Sequence, residues 1–188
     1  MSFLLDTSVV SEWMKPRPNP GVIAWLAEVD EDRVFRSVVT ITELRYGIER
    51  LPPGNRTKRL QQWLEEELPL RFEGRLLNID YPVAEACGKI VARSEALGSR
   101  MQPMDAFIAA TAEVHRLVVI TRNTADFRSV VKILNPWARR LTASPPAASA
   151  GHDRYRSPPA AAAPTPRPRT GSQNPKLWAP GLRPRLAP

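Results

Sequence analysis

Short apolar runs alternate along this chain with longer segments of helical periodicity. Runs of strand length lie at 3–5, Val34–Val39, Arg75–Ile79, Leu117–Ile120 and Val130–Leu134. Six segments of helical periodicity predict helices. They are Ser8–Met14, a segment that begins at Pro20, one from Thr40 to about Leu51, one from the break at Pro52-Pro53-Gly54 to about Leu68, Pro82–Leu97, and one from Ala106 to about His115. Strands that alternate with helices predict an α/β fold with a doubly wound, mostly parallel sheet and helices on both faces.

The segment Pro82–Leu97 has the clearest helical stripe, and Gly98 is a suitable residue to end it. The positions expected on its buried face are Val83, Cys87, Ile90, Val91, Ser94 and Leu97. Further upstream, Thr40-x-x-Glu43 has the form of a capping box, which predicts a helix start at Thr40.

Composition divides the chain near Leu141. We expect one folded domain over 1–141, followed over 142–188 by a tail rich in Pro, Ala and Arg that is disordered because it has too little apolar surface to bury. The tail carries seven Lys/Arg and one acid, whereas 1–141 carries 20 Lys/Arg and 18 Asp/Glu. The net charge of +8 therefore belongs mainly to the tail, and it is weak support for nucleic-acid binding by the domain.

The chain shows no sign of export or membrane insertion. It has one cysteine, Cys87, so an internal disulfide is excluded. No apolar run reaches the length of a membrane helix, and the N-terminus lacks a basic segment followed by an apolar one. We expect a cytoplasmic protein.

Four acids are predicted to meet at one edge of the sheet. Asp6 and Asp126 each follow a strand, and Glu43 and Asp105 each lie in the predicted first turn of a helix. Each has an ordinary structural interpretation: Asp6 as a helix N-cap, Glu43 as half of the capping box, Asp105 as a helix-dipole charge and Asp126 as a loop acid. Their convergence is what indicates a site.

A cluster of four carboxylates needs a counter-charge, because each like-charge pair at ~5 Å costs about 3 kcal/mol at an effective dielectric of about 20. No lysine lies in these motifs, and a hard divalent cation such as Mg²⁺ or Mn²⁺ would supply the charge. The only histidines are His115 and His152, which makes a histidine acid/base pair improbable. The chain also lacks a P-loop, a G-x-S-x-G motif and a metal-binding Cys/His cluster. These observations favour carboxylate-held metal chemistry on a phosphodiester.

Four segments in series resemble the PIN-domain family, specifically the VapC/FitB-like toxins of bacterial toxin–antitoxin pairs. The resemblance covers residue 1 to about 138, including the closing Asn135-Pro136-Trp137. The segments are Leu4-Leu5-Asp6-Thr7-Ser8-Val9-Val10-Ser11-Glu12, Thr42-Glu43-Leu44-Arg45-Tyr46-Gly47, Met104-Asp105-Ala106-Phe107-Ile108-Ala109-Ala110-Thr111-Ala112 and Thr121-Arg122-Asn123-Thr124-Ala125-Asp126-Phe127.

The resemblance implies an Mg²⁺- or Mn²⁺-dependent endoribonuclease that a cognate VapB/FitA-like antitoxin holds inactive. It places the acidic quartet of the catalytic site on Asp6, Glu43, Asp105 and Asp126. We expect one-metal or two-metal hydrolysis, in which Asp6 and Asp105 hold the principal metal and Glu43 and Asp126 complete its shell, directly or through water. Polar positions around metal and substrate correspond to Ser8, Thr121 and Asn123. A metal-activated water would leave a 5′-phosphate and a 3′-hydroxyl, since the ribose 2′-OH is not the nucleophile.

The resemblance also implies partners. Family members commonly form homodimers and bind an antitoxin whose DNA-binding part regulates the operon. Trp13 and Trp25 are candidates to line an antitoxin groove, although both also fit simple core positions. The tail extends about 47 residues beyond the family pattern, and it is either an added RNA-binding arm or a segment without function.

The main alternative is a receiver-type signalling domain, which also binds Mg²⁺ at strand ends and is not a nuclease. That class needs adjacent acids after the first strand and a lysine after the last one, whereas Asp6 is followed by Thr7 and Ser8, and Asn135-Pro136 occupies the last position. A phosphatase of the haloacid dehalogenase type needs a second Asp where Ser8 stands.

Overall fold

The computed structural model describes residues 1–127 and 129–138. Its strands are β1 (Phe3–Leu5), β2 (Val34–Ser37), β3 (Leu76–Leu77), β4 (Val118–Ile120) and β5 (Ile133–Leu134). Its α-helices are α1 (Thr7–Glu12), α2 (Pro20–Glu28), α3 (Val38–Glu49), α4 (Asn55–Gln62), α5 (Leu68–Arg71), α6 (Tyr81–Ala96), α7 (Pro103–Val114) and α8 (Thr124–Phe127). Short 3₁₀ turns lie at Glu31–Arg33 and Pro136–Ala138, and a π-helical segment at Trp63–Glu67.

The strands form one parallel sheet in the order β3-β2-β1-β4-β5. The central strand β1 has β2 on one side and β4 on the other, with Leu5 in register with Arg36 and Ile120. The residues after β1 and β4 therefore leave the sheet side by side. This arrangement confirms the predicted doubly wound α/β fold.

The core has two layers because successive strand residues point to opposite faces of the sheet. Leu5 packs with Trp25, Phe72 and their neighbours on one face, and Leu4 packs with Ile108 and its neighbours on the other. Leu4 and Leu5 are both fully buried. Because β1 is covered on both faces, all of its residues are apolar instead of alternating with polar ones.

The predicted capping box at Thr40 is wrong. Helix α3 begins at Val38, and the hydroxyl of Ser37 accepts the cap hydrogen bond from Val39 N at 3.2 Å. Thr40 is a buried residue inside the helix, where its hydroxyl donates to the Leu5 carbonyl at 3.4 Å. Glu43 is consequently in the second turn of α3 rather than the first, and it does not cap the helix.

Three other predicted elements differ in extent. The long helix to about Leu68 is divided by the π-helical segment at Trp63–Glu67, directly before α5 with Pro69 in its first turn. The segment Thr121–Phe127, predicted as a loop, contains the helical turn α8. Leu97 follows the last residue of α6 and is exposed, so it does not belong to that helix's buried face.

The proposed tail over 142–188, its boundary at 141, and His152 lie outside the described residues. Within the described part of the chain, no helix is both long enough and apolar enough to span a membrane.

Candidate active site

Asp6 follows β1 directly and caps α1. Its Oδ1 accepts a hydrogen bond from Thr7 N at 2.7 Å. Its Oδ2 accepts two more, from the Ser8 and Thr121 hydroxyls, each at 2.7 Å. The residue is only 6% exposed. The cap interpretation of Asp6 is thus confirmed, and the same carboxylate is held rigidly at the carboxyl edge of the sheet.

Glu43 reaches this edge from α3. Its carboxylate accepts a short hydrogen bond from the Thr7 hydroxyl. Burial raises the pKa of Glu43, the Thr7 hydrogen bond opposes that rise, and the nearby negative charge of Asp6 adds to it. The start of α3 at Val38 is what turns Glu43 toward Thr7 instead of back toward its own helix terminus.

Asp105, in the first turn of α7, is the least compensated acid of the four. Burial and then the negative charges of Asp6, Glu43 and Asp126 raise its pKa to about 6. No hydrogen-bond donor among residues 1–127 and 129–138 reaches its carboxylate, whereas each of the other three acids has at least one. The predicted role as a helix-dipole charge does not explain this environment, because a simple dipole partner would have a lowered pKa.

Asp126 lies on α8 and completes the group. Its carboxylate accepts from Asn123 Nδ2 at 2.5 Å. Asn123 N in turn donates to the Thr121 hydroxyl at 2.9 Å, and that hydroxyl donates to Asp6. Ser8, Thr121 and Asn123, the three predicted polar residues of the site, thus all bind its acids.

The four carboxylates share one electrostatic environment, as the effect of three of them on Asp105 shows. In the described ranges, no lysine or arginine forms an ion pair with any of the four acids. Within this described part of the chain, no three or more His, Cys, Asp or Glu side chains are arranged to hold a metal ion as they stand. The carboxylates of Asp6, Glu43 and Asp126 instead accept hydrogen bonds from hydroxyl and amide donors.

The fold decides the surroundings of three further residues, Thr7, Trp25 and Trp13. Thr7 was not among the predicted site residues, although it links Glu43 to the α1 terminus; its place directly after Asp6 in the Asp-Thr-Ser run was the available signal. Trp25 is 5% exposed and packs edge-on against Phe3, so it belongs to the core and cannot line a groove. Trp13 is half-buried and lies beneath the Arg71 guanidinium.

Comparison with known proteins identifies the family of this chain. The PIN domain family model matches residues 3–133. Toxin FitB of Neisseria gonorrhoeae is 39% identical over 135 residues, which are 71% of this chain and 97% of that protein. VapC ribonuclease Y4jK of Sinorhizobium fredii is 34% identical over 135 residues, 71% of this chain and 96% of that protein.

Solved structures of FitAcB and VapBC are also similar to this chain. The crystal structure of FitAcB from Neisseria gonorrhoeae superposes with a TM-score of 0.69 at 38% identity, covering 73% of this chain and 99% of that one. DNA-bound VapBC from Salmonella typhimurium gives a TM-score of 0.61 at 27% identity, covering 72% and 98%. None of these matches supports a receiver-type domain. The chain therefore belongs to the PIN domain family and is a relative of the toxin FitB and the VapC ribonucleases.

Proposed function

We propose that this protein is a metal-dependent endoribonuclease that hydrolyses RNA phosphodiesters, and that it is the toxin of a toxin–antitoxin pair. The observation that carries the proposal is the environment of Asp105. No donor among the described residues reaches this half-buried carboxylate, and three other carboxylates act on it. The relative named as VapC ribonuclease Y4jK is 34% identical to this chain over 135 aligned residues.

The donor set fits a hard divalent cation. The side chains at the site carry carboxylate, hydroxyl and amide oxygens, which are the ligand atoms that Mg²⁺ and Mn²⁺ prefer. The four acids carry up to four negative charges, and no basic side chain in the described residues pairs with them. A bound cation would relieve the repulsion that raises the pKa of Asp105.

Asp6 and Asp105 are the residues that would hold the principal cation, with Glu43 and Asp126 completing the site. A carboxylate oxygen can accept two hydrogen bonds. Asp6 Oδ2 already accepts two, whereas Oδ1 accepts one, so Oδ1 is the oxygen with an open position. A cation of this kind supplies an activated water and neutralises charge that develops on the phosphate.

The hydroxyl residues orient the acids. Ser8 and Thr121 hold Asp6 Oδ2 from two directions, and Thr7 holds Glu43. Such bonds keep each carboxylate in one rotamer before substrate arrives, so little reorganisation is needed during the reaction. Their role in the proposal is therefore positioning, not proton transfer.

The partner is proposed to be an antitoxin protein. The similar structures include FitAB bound to a DNA fragment and a toxin–antitoxin complex from Klebsiella pneumoniae, which support a partner of this kind. Homodimer formation is proposed on the family resemblance and can be checked by light scattering of the purified chain.

The decisive experiment incubates antitoxin-free protein with tRNA, rRNA and mRNA in Mg²⁺ or Mn²⁺, with and without EDTA. We expect cleavage that EDTA stops and product ends that carry 5′-phosphate. Asp80→Asn is a matched control for Asp105→Asn, because Asp80 caps α6, accepts from Val83 N and is not among the charges that raise the pKa of Asp105. Cleavage that continues in EDTA, or 2′,3′-cyclic phosphate ends, would refute the mechanism.

A further inference from the structure

Arg36 on β2 is a buried arginine without a counter-charge. Its side chain is 0% exposed, and its Nε and Nη1 are buried without a hydrogen-bond partner. No carboxylate in residues 1–127 and 129–138 forms an ion pair with it. Proteins rarely bury a charge in this way unless something pairs with it, because the desolvation cost is large.

Aromatic rings and two more arginines surround this side chain. The Arg36 guanidinium lies 4.2 Å from the centre of the Phe72 ring, and that of Arg75 lies 5.2 Å from the same ring. The Arg71 guanidinium lies 4.5 Å from the centre of the Trp13 ring. These contacts hold the guanidinium groups in place and exclude water from their faces.

The cluster has more positive than negative charge. Among the described residues, Glu31 lies 3.5 Å from Arg71 Nε and 3.8 Å from Arg75 Nη2, and the negative charge of Glu67 also acts on Arg71. Arg75 also donates to three backbone carbonyls, those of Glu31, Val34 and Arg71. Burial, followed by the charges of Arg71 and Arg75, lowers the pKa of Arg36 to about 9, so it is still protonated at neutral pH.

We propose that Arg36, Arg71 and Arg75 form an anion site that takes an oxyanion, a carboxylate or a phosphate group. Either group brings negative charge and several acceptor oxygens, which are what Arg36 lacks. The side chains of Arg71 and Arg75 are 14% and 16% exposed, so one side of the cluster reaches the protein surface. The site goes beyond the proposed nuclease function and does not depend on it.

The test is thermal unfolding of the full chain at pH 7 in EDTA, with sodium phosphate or sodium acetate compared with sodium chloride at equal ionic strength. The phosphate and acetate arms distinguish the two ligand groups. At ten times Kd we expect a melting temperature about 3 °C higher than in chloride. Calorimetric titration should give a saturating Kd at or below about 1 mM for one of the two anions.

Arg36→Met identifies the residue, because methionine keeps much of the length without the charge. The variant should fold, be at least as stable as wild type in chloride, and lose the anion-specific shift. Arg56→Met, an exposed change on α4, should keep the shift. Should Arg36→Met not fold, Arg71→Gln replaces it, with at least half of the shift lost.

Two outcomes would overturn the site. One is an equal melting temperature in chloride, phosphate and acetate for wild type, or a shift that never saturates. The other is an anion shift of the same size in wild type and the cluster variant. Since only folding and binding are measured, failure here is distinguishable from failure of the ribonuclease proposal.

Discussion

The Thr121 hydroxyl donates a hydrogen bond to Asp6 Oδ2 at 2.7 Å, across 115 positions of sequence. The two residues follow the adjacent parallel strands β4 and β1, so the sheet brings them together. The same Thr121 oxygen accepts from Asn123 N, which links Asp6 to the turn that carries Asp126. One buried hydroxyl therefore connects two of the four acids.

Replacing Thr121 by Val keeps the shape and removes this hydroxyl. The Asp6 carboxylate would lose one of its three donors, and Asn123 N would lose its acceptor. We expect the free energy of unfolding to fall by about 2 kcal/mol, measured by urea denaturation. Thr42→Val is the control, because its exposed hydroxyl only bonds Val38 O within α3; it should cost less than ~0.5 kcal/mol. Equal costs would show that the Asp6 bond is unimportant.

Asp105→Asn separates a site acid from a structural one. Removing a charge that three carboxylates repel should leave metal-free stability unchanged or raise it by about 1 kcal/mol. The same change should reduce RNA cleavage more than ~100-fold and remove most of the Mg²⁺-induced rise in melting temperature. A variant that is destabilised yet active would show instead that Asp105 is a helix-terminus charge.

Metal-free stability should depend on pH through Asp105. Its pKa is about 6 in the folded chain and 3.8 in its ordinary state, so between these values the folded state binds more protons than the unfolded one. The carboxylate therefore costs stability above about pH 6, and this cost disappears as the pH falls toward about 4. The stability difference between Asp105→Asn and wild type should be about 1 kcal/mol near pH 7.5 after allowance for solvent screening, and near zero at about pH 4.

That comparison needs denaturation curves of both proteins in EDTA across this pH range. A difference that stays constant with pH would show that the Asp105 charge is not what the other three acids disfavour. Adding saturating Mg²⁺ at pH 7.5 should remove the wild-type disadvantage, since the cation binds only the folded site.

Deleting 142–188 should leave the melting temperature nearly unchanged, because the family match ends at residue 133. The segment carries seven of the chain's 27 basic residues, so RNA affinity of the shortened protein should depend less steeply on salt. Full-length protein measured beside it is the reference. A drop of many degrees on truncation would mean that the domain extends beyond residue 141.

The sequence alone was sufficient for the features that repeat locally. The apolar run of β1, the stripe of α6 and the alternation of strands with helices predicted the α/β class, because burial imposes a period on residues close in sequence. The order of the four acidic segments was enough to identify the family, which the comparison confirmed. The catalytic roles of those acids are still predictions that the experiments above address.

Only the tertiary structure decided which groups the acids meet. Thr40 and Glu43 have the spacing of a capping box, but burial of Thr40 against Leu5 lets Ser37 begin α3. Thr7 and Thr121 gain their roles from partners 36 and 115 positions away, and no local pattern encodes such pairs. Arg36 has a charged side chain and is nevertheless fully buried. It lies on β2 inside the sheet, and Phe72, just after α5, covers its guanidinium. These contacts form between residues that are far apart in the sequence and meet only when the chain packs. The local hydrophobic periodicity indicates only which face of a helix or strand is buried.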